Sequence, residues 1–217
     1  MKAFKALVLT SSLSVMISSV FAQDKDPKAK AILDDLSKKM KAFTSFTIDF
    51  TSKLEKKADG VNESQSGKAT MKGNKYIIEV GDQKILCDGV TVWTILTGDK
   101  EVYESKVGAD QEELLDPSKM FSLWEKDFKY KLVKEETVGT STIAEIHLFP
   151  VKTGSKYHTI IIKIDKTKME MKSVVVKGKD GEVLTYTLNK LTTNVTVNDA
   201  DFKFEKSKYP GYTVIKD

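Results

Sequence analysis

Two histidines, one cysteine and a few aspartates are the residues whose types could support chemistry, and their spacing gives them little to do. His147 and His158 fall on separate extended runs, with no Cys or Asp/Glu cluster at ligand spacing, so they read as strand histidines rather than metal ligands. Asp49, Asp88 and Asp99 could in principle pair as general acid and base. Asp88-Gly89 and Gly98-Asp99, however, are turn signals in which Asp serves the backbone, and Asp49 alternates with Ile48 and Phe50 on the polar side of its run. Gly-x-Ser-x-Gly, His-Glu-x-x-His and Walker-type loops do not occur. Cys87 stands alone, so no internal disulfide forms, and it reads as a small apolar filler beside a turn. Enzymatic activity is not expected, and neither is a metal or cofactor.

The charge pattern narrows the partners. The 217 residues carry 35 basic side chains, all lysine, against 31 acids, for a net charge of +4. The lysines are scattered among acids and read as a solvated surface. With no arginine, the bidentate grip on guanine or phosphate is missing, so nucleic acid is not an expected partner. Lys2 and Lys5, the apolar Ala6–Val20 run and the Val20-Phe21-Ala22 exit form the pattern of a secretory signal peptide over 1–22. Gln23 rather than Cys follows, so no lipid anchor is expected there. Residues 23–217 are expected to form one domain with a sizeable core.

The elements that must position any site follow from periodicity. Asp26-Pro27 is a cap followed by proline at the first helical position. Ala29, Ile32, Leu33, Leu36, Met40 and Phe43 recur at helical steps, which predicts a helix from about 27 to 42. It either packs on the core or covers a ligand cavity. From Ser45 the period becomes two, with Phe46, Ile48 and Phe50 on one side. Turn signals then recur at roughly ten-residue spacing, as in an antiparallel sandwich or barrel. At the centre lies Asp88-Gly89, predicted as a two-residue loop between Ile85–Cys87 and Val90–Leu96. Glu112–Leu115 and the stretch after Asp116-Pro117, bearing Met120, Phe121, Leu123 and Trp124, are read as short helices buried against the sheet or a ligand. The count is about eleven strands and two or three helices. Each strand has a polar Lys/Thr/Glu/Ser face opposite a large apolar one, and few helices exist to cover so wide a sheet. An apolar concavity is therefore expected.

Several stretches taken in order resemble a known family. A signal peptide and short helix precede Ser45-Phe46, which leads into a strand with Phe50-Thr51. Gly67-Lys68-Ala69-Thr70-Met71-Lys72, the Asp88-Gly89…Trp93 hairpin, Phe202-Lys203-Phe204 and Pro210-Gly211-Tyr212-Thr213-Val214-Ile215 follow. Together they resemble the periplasmic outer-membrane lipoprotein carriers of the LolA type. The resemblance implies a mainly β protein: an incomplete antiparallel barrel with helices as a lid over a hydrophobic cavity. It also implies a soluble periplasmic monomer without cofactor. Such a carrier takes acylated lipoproteins from an inner-membrane ABC transporter and delivers them to the outer membrane, with a dedicated acceptor there as a possible further partner. Alternation and helix spacing nominate Phe46, Ile48, Phe50, Tyr76, Ile78, Trp93, Ile95, Met120, Phe121 and Trp124 as the cavity wall. In many such carriers an arginine just after the second strand holds the lid shut. Gly73 stands at that place here, so closure is expected to depend more on Met120, Phe121 and Trp124. The alternative reading is a periplasmic sensor or scaffold domain of similar shape that binds a lipid or peptide signal without transport.

Overall fold

The computed structural model describes residues 25–108 and 120–216. One α-helix, α1 (Pro27–Lys41), starts where the sequence places it. The Asp26 carboxylate accepts from the N–H groups of Lys28 (2.8 Å) and Ala29 (3.3 Å), satisfying donors that a helix start leaves unpaired. Lys38, Lys39 and Lys41 lie in the last turn, where cations complement the helix dipole. Ala29, Ile32, Leu33, Leu36, Ser37 and Met40 are buried along one face.

Among the described residues twelve strands follow: β1 (Phe46–Lys56), β2 (Val61–Lys72), β3 (Lys75–Val80), β4 (Gln83–Cys87), β5 (Thr91–Leu96), β6 (Glu101–Lys106), β7 (Phe128–Val138), β8 (Ser141–Pro150), β9 (Tyr157–Asp165), β10 (Glu170–Gly178), β11 (Val183–Thr193) and β12 (Thr213–Lys216). They form a single open sheet in the order β12-β6-β5-β4-β3-β2-β1-β11-β10-β9-β8-β7. Sequential neighbours pair antiparallel through hairpins, and β1 pairs with β11. The last strand breaks the pattern, because β12 lies parallel to β6.

The mainly β class agrees with the sequence reading, and the sheet is open, not closed into a barrel. Two details are corrected. Among the described residues the strands number twelve rather than about eleven. Among the described residues there is one α-helix rather than two or three. The helical turn at 112–115 and the Asp116-Pro117 start lie outside the described residues. Met120–Ser122 is a turn, and Leu123–Glu125 is a single 3-10 turn.

The Asp88-Gly89 loop also differs. β4 ends at Cys87 and β5 begins at Thr91, so three residues, Asp88 to Val90, make the connection, and the Asp88 N–H donates to the Thr91 carbonyl at 3.2 Å. The Asp88 carboxylate takes the N–H groups of both Val90 (3.0 Å) and Thr91 (2.9 Å). That local capture by Asp lengthens the loop, and Gly89 supplies the positive φ of +94°.

The inner face of the sheet carries α1 and the main core, which runs from Phe128 and Tyr130 on β7 through the isoleucines of β8 and β9 to Val92 on β5. The outer face carries a second, smaller cluster of Leu86, Ile95 and Val102. The C-terminal segment lies over it with Phe204, Tyr209, Tyr212 and Val214. Tyr209 stacks on Phe204 at 5.2 Å and meets Tyr212 edge-on at 5.3 Å. Asp199 fastens that segment to the β2–β3 hairpin through Lys72 and Lys75, each at 2.7 Å.

Candidate functional site

A cavity of about 380 Å³ opens on the inner face beside α1, within the range of pockets that bind small ligands. Its wall comes from β11, β1, β2, β3 and β4, with Met120 and Phe121 over one end. Alternation explains the wall. Ile48 and Phe50 on β1, Ala69 and Met71 on β2, Ile78 and Val80 on β3, and Leu184 and Leu188 on β11 are every-second residues of their strands. Phe50 forms part of the floor and lies over Gly67 on the adjacent strand. A Cβ on Gly67 would fall 2.4 Å from the Phe50 ring, so only glycine fits beneath it.

Five of the ten nominated residues are brought together on this wall: Ile48, Phe50, Ile78, Met120 and Phe121. Phe46, Tyr76 and Trp124 lie in the same core without lining the cavity, and all three are buried. Phe46 meets Phe121 edge-on at 5.8 Å and so backs that end. Trp124 is enclosed with its Nε1 unpartnered among the described residues. Trp93 and Ile95 go to the outer face. Ile95 is part of the smaller cluster, and Trp93 donates from Nε1 to Glu104 at 3.1 Å. Lys216 holds the same carboxylate at 3.0 Å, and these two bonds keep Glu104 below the usual carboxylate range.

Sequence reasoning missed Leu184, Tyr186 and Leu188 on β11, although they alternate as plainly as the residues of β1. It also missed four polar lining residues: Ser52, Glu63, Gln65 and Gln83. Only the strand register, which places Ser52 beside both Tyr186 and Gln65, brings these together.

The helix beside the cavity is fixed at its start by one residue. While its carboxylate caps α1, Asp26 donates its N–H to the Tyr130 carbonyl at 3.1 Å and accepts from the Leu132 N–H at 3.1 Å. Burial opposes ionisation of this carboxyl, but the N–H groups of Leu132, Ala29 and Lys28 outweigh it and hold the group below its ordinary value. At the other end the chain enters β1, where the Ser45 hydroxyl donates to the Val195 carbonyl at 2.6 Å. Gly73, at the place of the expected arginine, sits in the β2–β3 turn at φ +60° with open space around it. Lys72 beside it reaches Asp199 and the Val197 carbonyl.

The other chemistry-bearing groups are engaged locally. His147 Nε2 pairs with Glu145 at 2.8 Å, and His158 Nδ1 with the Thr159 hydroxyl at 2.8 Å. Among the described residues no three His, Cys, Asp or Glu side chains gather as a metal site. No described helix is long and apolar enough to cross a membrane.

The family model described as "Outer membrane lipoprotein carrier protein LolA" matches residues 41–205. A search of curated protein sequences finds no match. Among solved structures, an uncharacterized conserved protein from Thermus thermophilus shares the fold. It has a TM-score of 0.58 and 12% identity, over 88% of this chain and 99% of that one. The Mycobacterium tuberculosis lipoprotein LppX aligns with a TM-score of 0.48 and 15% identity, over 80% and 99% of the two chains. A putative outer membrane lipoprotein-sorting protein domain from Vibrio parahaemolyticus aligns with a TM-score of 0.47 and 10% identity, over 79% and 94%.

Proposed function

The chain belongs to the LolA family of outer membrane lipoprotein carrier proteins, and from that premise we propose that it shields the acyl chains of lipoproteins and ferries them across the periplasm to the outer membrane. The observation that carries this reading is the apolar cavity on the inner face, walled by Ile48, Phe50, Met71, Ile78 and Leu188 and open beside α1. Each buried methylene is worth ~0.8 kcal/mol, so one long acyl chain left in water costs on the order of 10 kcal/mol. A carrier needs such a surface and no catalytic group.

The proposal includes export by a signal peptide over 1–22, a single carrier domain over 23–217, and action as a monomer. Loading by an inner-membrane ABC transporter and unloading to an acceptor at the outer membrane complete it. At about 380 Å³ the cavity lies at the small end of the range of ligand pockets. A triacylated cargo therefore requires it to widen, and Met120 and Phe121 over its end are the side chains to move.

Native mass spectrometry of the mature protein, purified gently from its own periplasm, tests this directly. The expected result is a one-to-one complex with acylated lipoproteins that is lost on adding detergent. A clean apo mass, with lipoproteins still reaching the outer membrane in a deletion strain, would overturn the carrier role in favour of a sensor or scaffold.

A further inference from the structure

We infer that the cavity selects lipids with an uncharged, hydrogen-bonding head and rejects anionic phospholipids, a selectivity that rests on the acyl-chain reading above. The cavity is polarised along the strands. Ile48, Met71, Ile78 and Phe121 make one region wholly apolar, and the polar lining residues lie further along β1 and β2. Tyr186, Ser52 and Gln65 are cross-strand neighbours on β11, β1 and β2, at one level of the inner face. Gln65 extends toward the β3–β4 turn, where a Cβ on Gly81 would fall 2.7 Å from its Oε1. Gln83, the first residue of β4, also lines the cavity there.

This girdle is rich in donors and acceptors and holds no charge of its own. Ser52 donates to the Gln65 backbone carbonyl at 3.3 Å. The amide groups of Gln65 and Gln83 each offer two donors and an acceptor. Burial pushes the Tyr186 phenol above its ordinary range, so it stays a neutral hydroxyl.

The charges nearby exclude an anion. In a chain with 35 lysines, no described lysine lines the cavity, and among the described residues its one charged lining residue is a carboxylate, Glu63. Lys56 lies one alternation beyond Leu54, near Glu63. Three carboxylates already hold it: Asp59 at 3.1 Å, Glu182 at 3.6 Å and Asp180 at 3.7 Å. Proteins bind phosphate with Arg, Lys or a helix N-terminus, and the described cavity wall offers none of these. A phosphate drawn to this level would meet the exposed Glu63 carboxylate and find no lysine among the described lining residues to offset it. A glyceryl hydroxyl or an amide would find partners in the girdle.

The test compares two lipids with the same acyl chain, monopalmitoylglycerol and palmitoyl lysophosphatidylglycerol. Their binding to the delipidated mature protein is measured below micellar concentration by displacement of a fluorescent fatty alcohol. The neutral lipid is expected to bind about tenfold tighter, and Glu63→Lys to close the gap to about twofold by raising the affinity for the anionic lipid. A Gln65→Leu, Gln83→Leu double variant is expected to weaken monopalmitoylglycerol several-fold and leave the lysophospholipid unchanged. Equal binding of the two lipids, a preference for the anionic one, or a gap that neither variant alters would overturn the selectivity and leave the acyl-chain reading standing. Binding of neither lipid, and of no fatty alcohol, would overturn that reading itself.

Discussion

The two halves of the inner face are built from the same kinds of side chain and end in opposite states. Across β8 and β9, Ala144, Ile146, Leu148, Ile160, Ile162 and Ile164 are each at most 1% exposed. Across β11 and β2–β4, Ile78, Val80, Ile85 and Leu188 present similar apolar surface but are only half-buried, and the cavity lies above them. Composition does not separate the halves; cover does. α1 begins at β7, held by Asp26, and ends where the chain enters β1. Fifteen residues at ~1.5 Å each give about 22 Å. Five strand spacings from β7 to β1, at ~4.8 Å, need about 24 Å. The helix is therefore long enough for one half only. Among the described residues, the cavity lies where the sheet extends past its helix.

The comparison breaks first if matched truncations cost the same. Ile146→Ala, in the filled half, is expected to lower stability by about 3–4 kcal/mol in urea unfolding, with lipid affinity retained in the folded fraction. Ile78→Ala, in the open half, is expected to cost about 1 kcal/mol, because its side chain leaves little further void, and to weaken acyl-chain binding instead. Equal destabilisation would mean that the cavity is packed in solution.

The helix anchor gives a smaller effect. Asp26→Ala removes the cap and leaves the Leu132 N–H without its acceptor, for an expected loss of about 2 kcal/mol together with increased binding of an apolar dye to the filled half. The pH dependence follows in sign. A carboxyl whose folded value is depressed contributes fully above its unfolded value of about 3.9, and the contribution is lost as pH falls through the folded value. Unfolding followed below pH 4 should therefore differ between wild type and Asp26→Ala, with the gap narrowing as pH falls.

The smallest effect belongs to the outer face. Asp199 is held at about 2 by Lys72 and then Lys75, and it is exposed. Its pairs should titrate out as pH falls through that value and weaken with salt. Hydrogen exchange of the β12 amides, measured from pH 4 downward at low and high salt, reads this. No change would mean that the aromatic cluster alone seats the C-terminal segment.

Against these differences, the sequence was legible where a signal is local. Asp26-Pro27 and the helical period located α1 to within a residue, and alternation located Phe46, Ile48 and Phe50 on one face. Alternation assigns two faces but not which of them is inner. On β5 both faces are apolar. Val92 turns to the main core, while Trp93 and Ile95 turn outward because the C-terminal segment covers that side. That cover lies more than a hundred residues away along the chain, so no window around Trp93 contains it. The polar girdle was hidden for the same reason: Gln65 and Ser52 look like solvated strand residues until the register sets them beside Tyr186.

The parallel seating of β12 against β6 bears on the order in which the molecule can be completed. Every other pairing between sequential strands closes through a nearby turn, whereas β6 acquires its outer neighbour only from residues that leave the ribosome more than a hundred positions later. Until then β6 presents free amides and carbonyls along its length, a template that another chain can occupy. The last strand is thus a late seal, formed at a high cost in loop closure. A chain shortened by a few C-terminal residues would keep its cavity wall and lose its protection against joining edge to edge with its own copies.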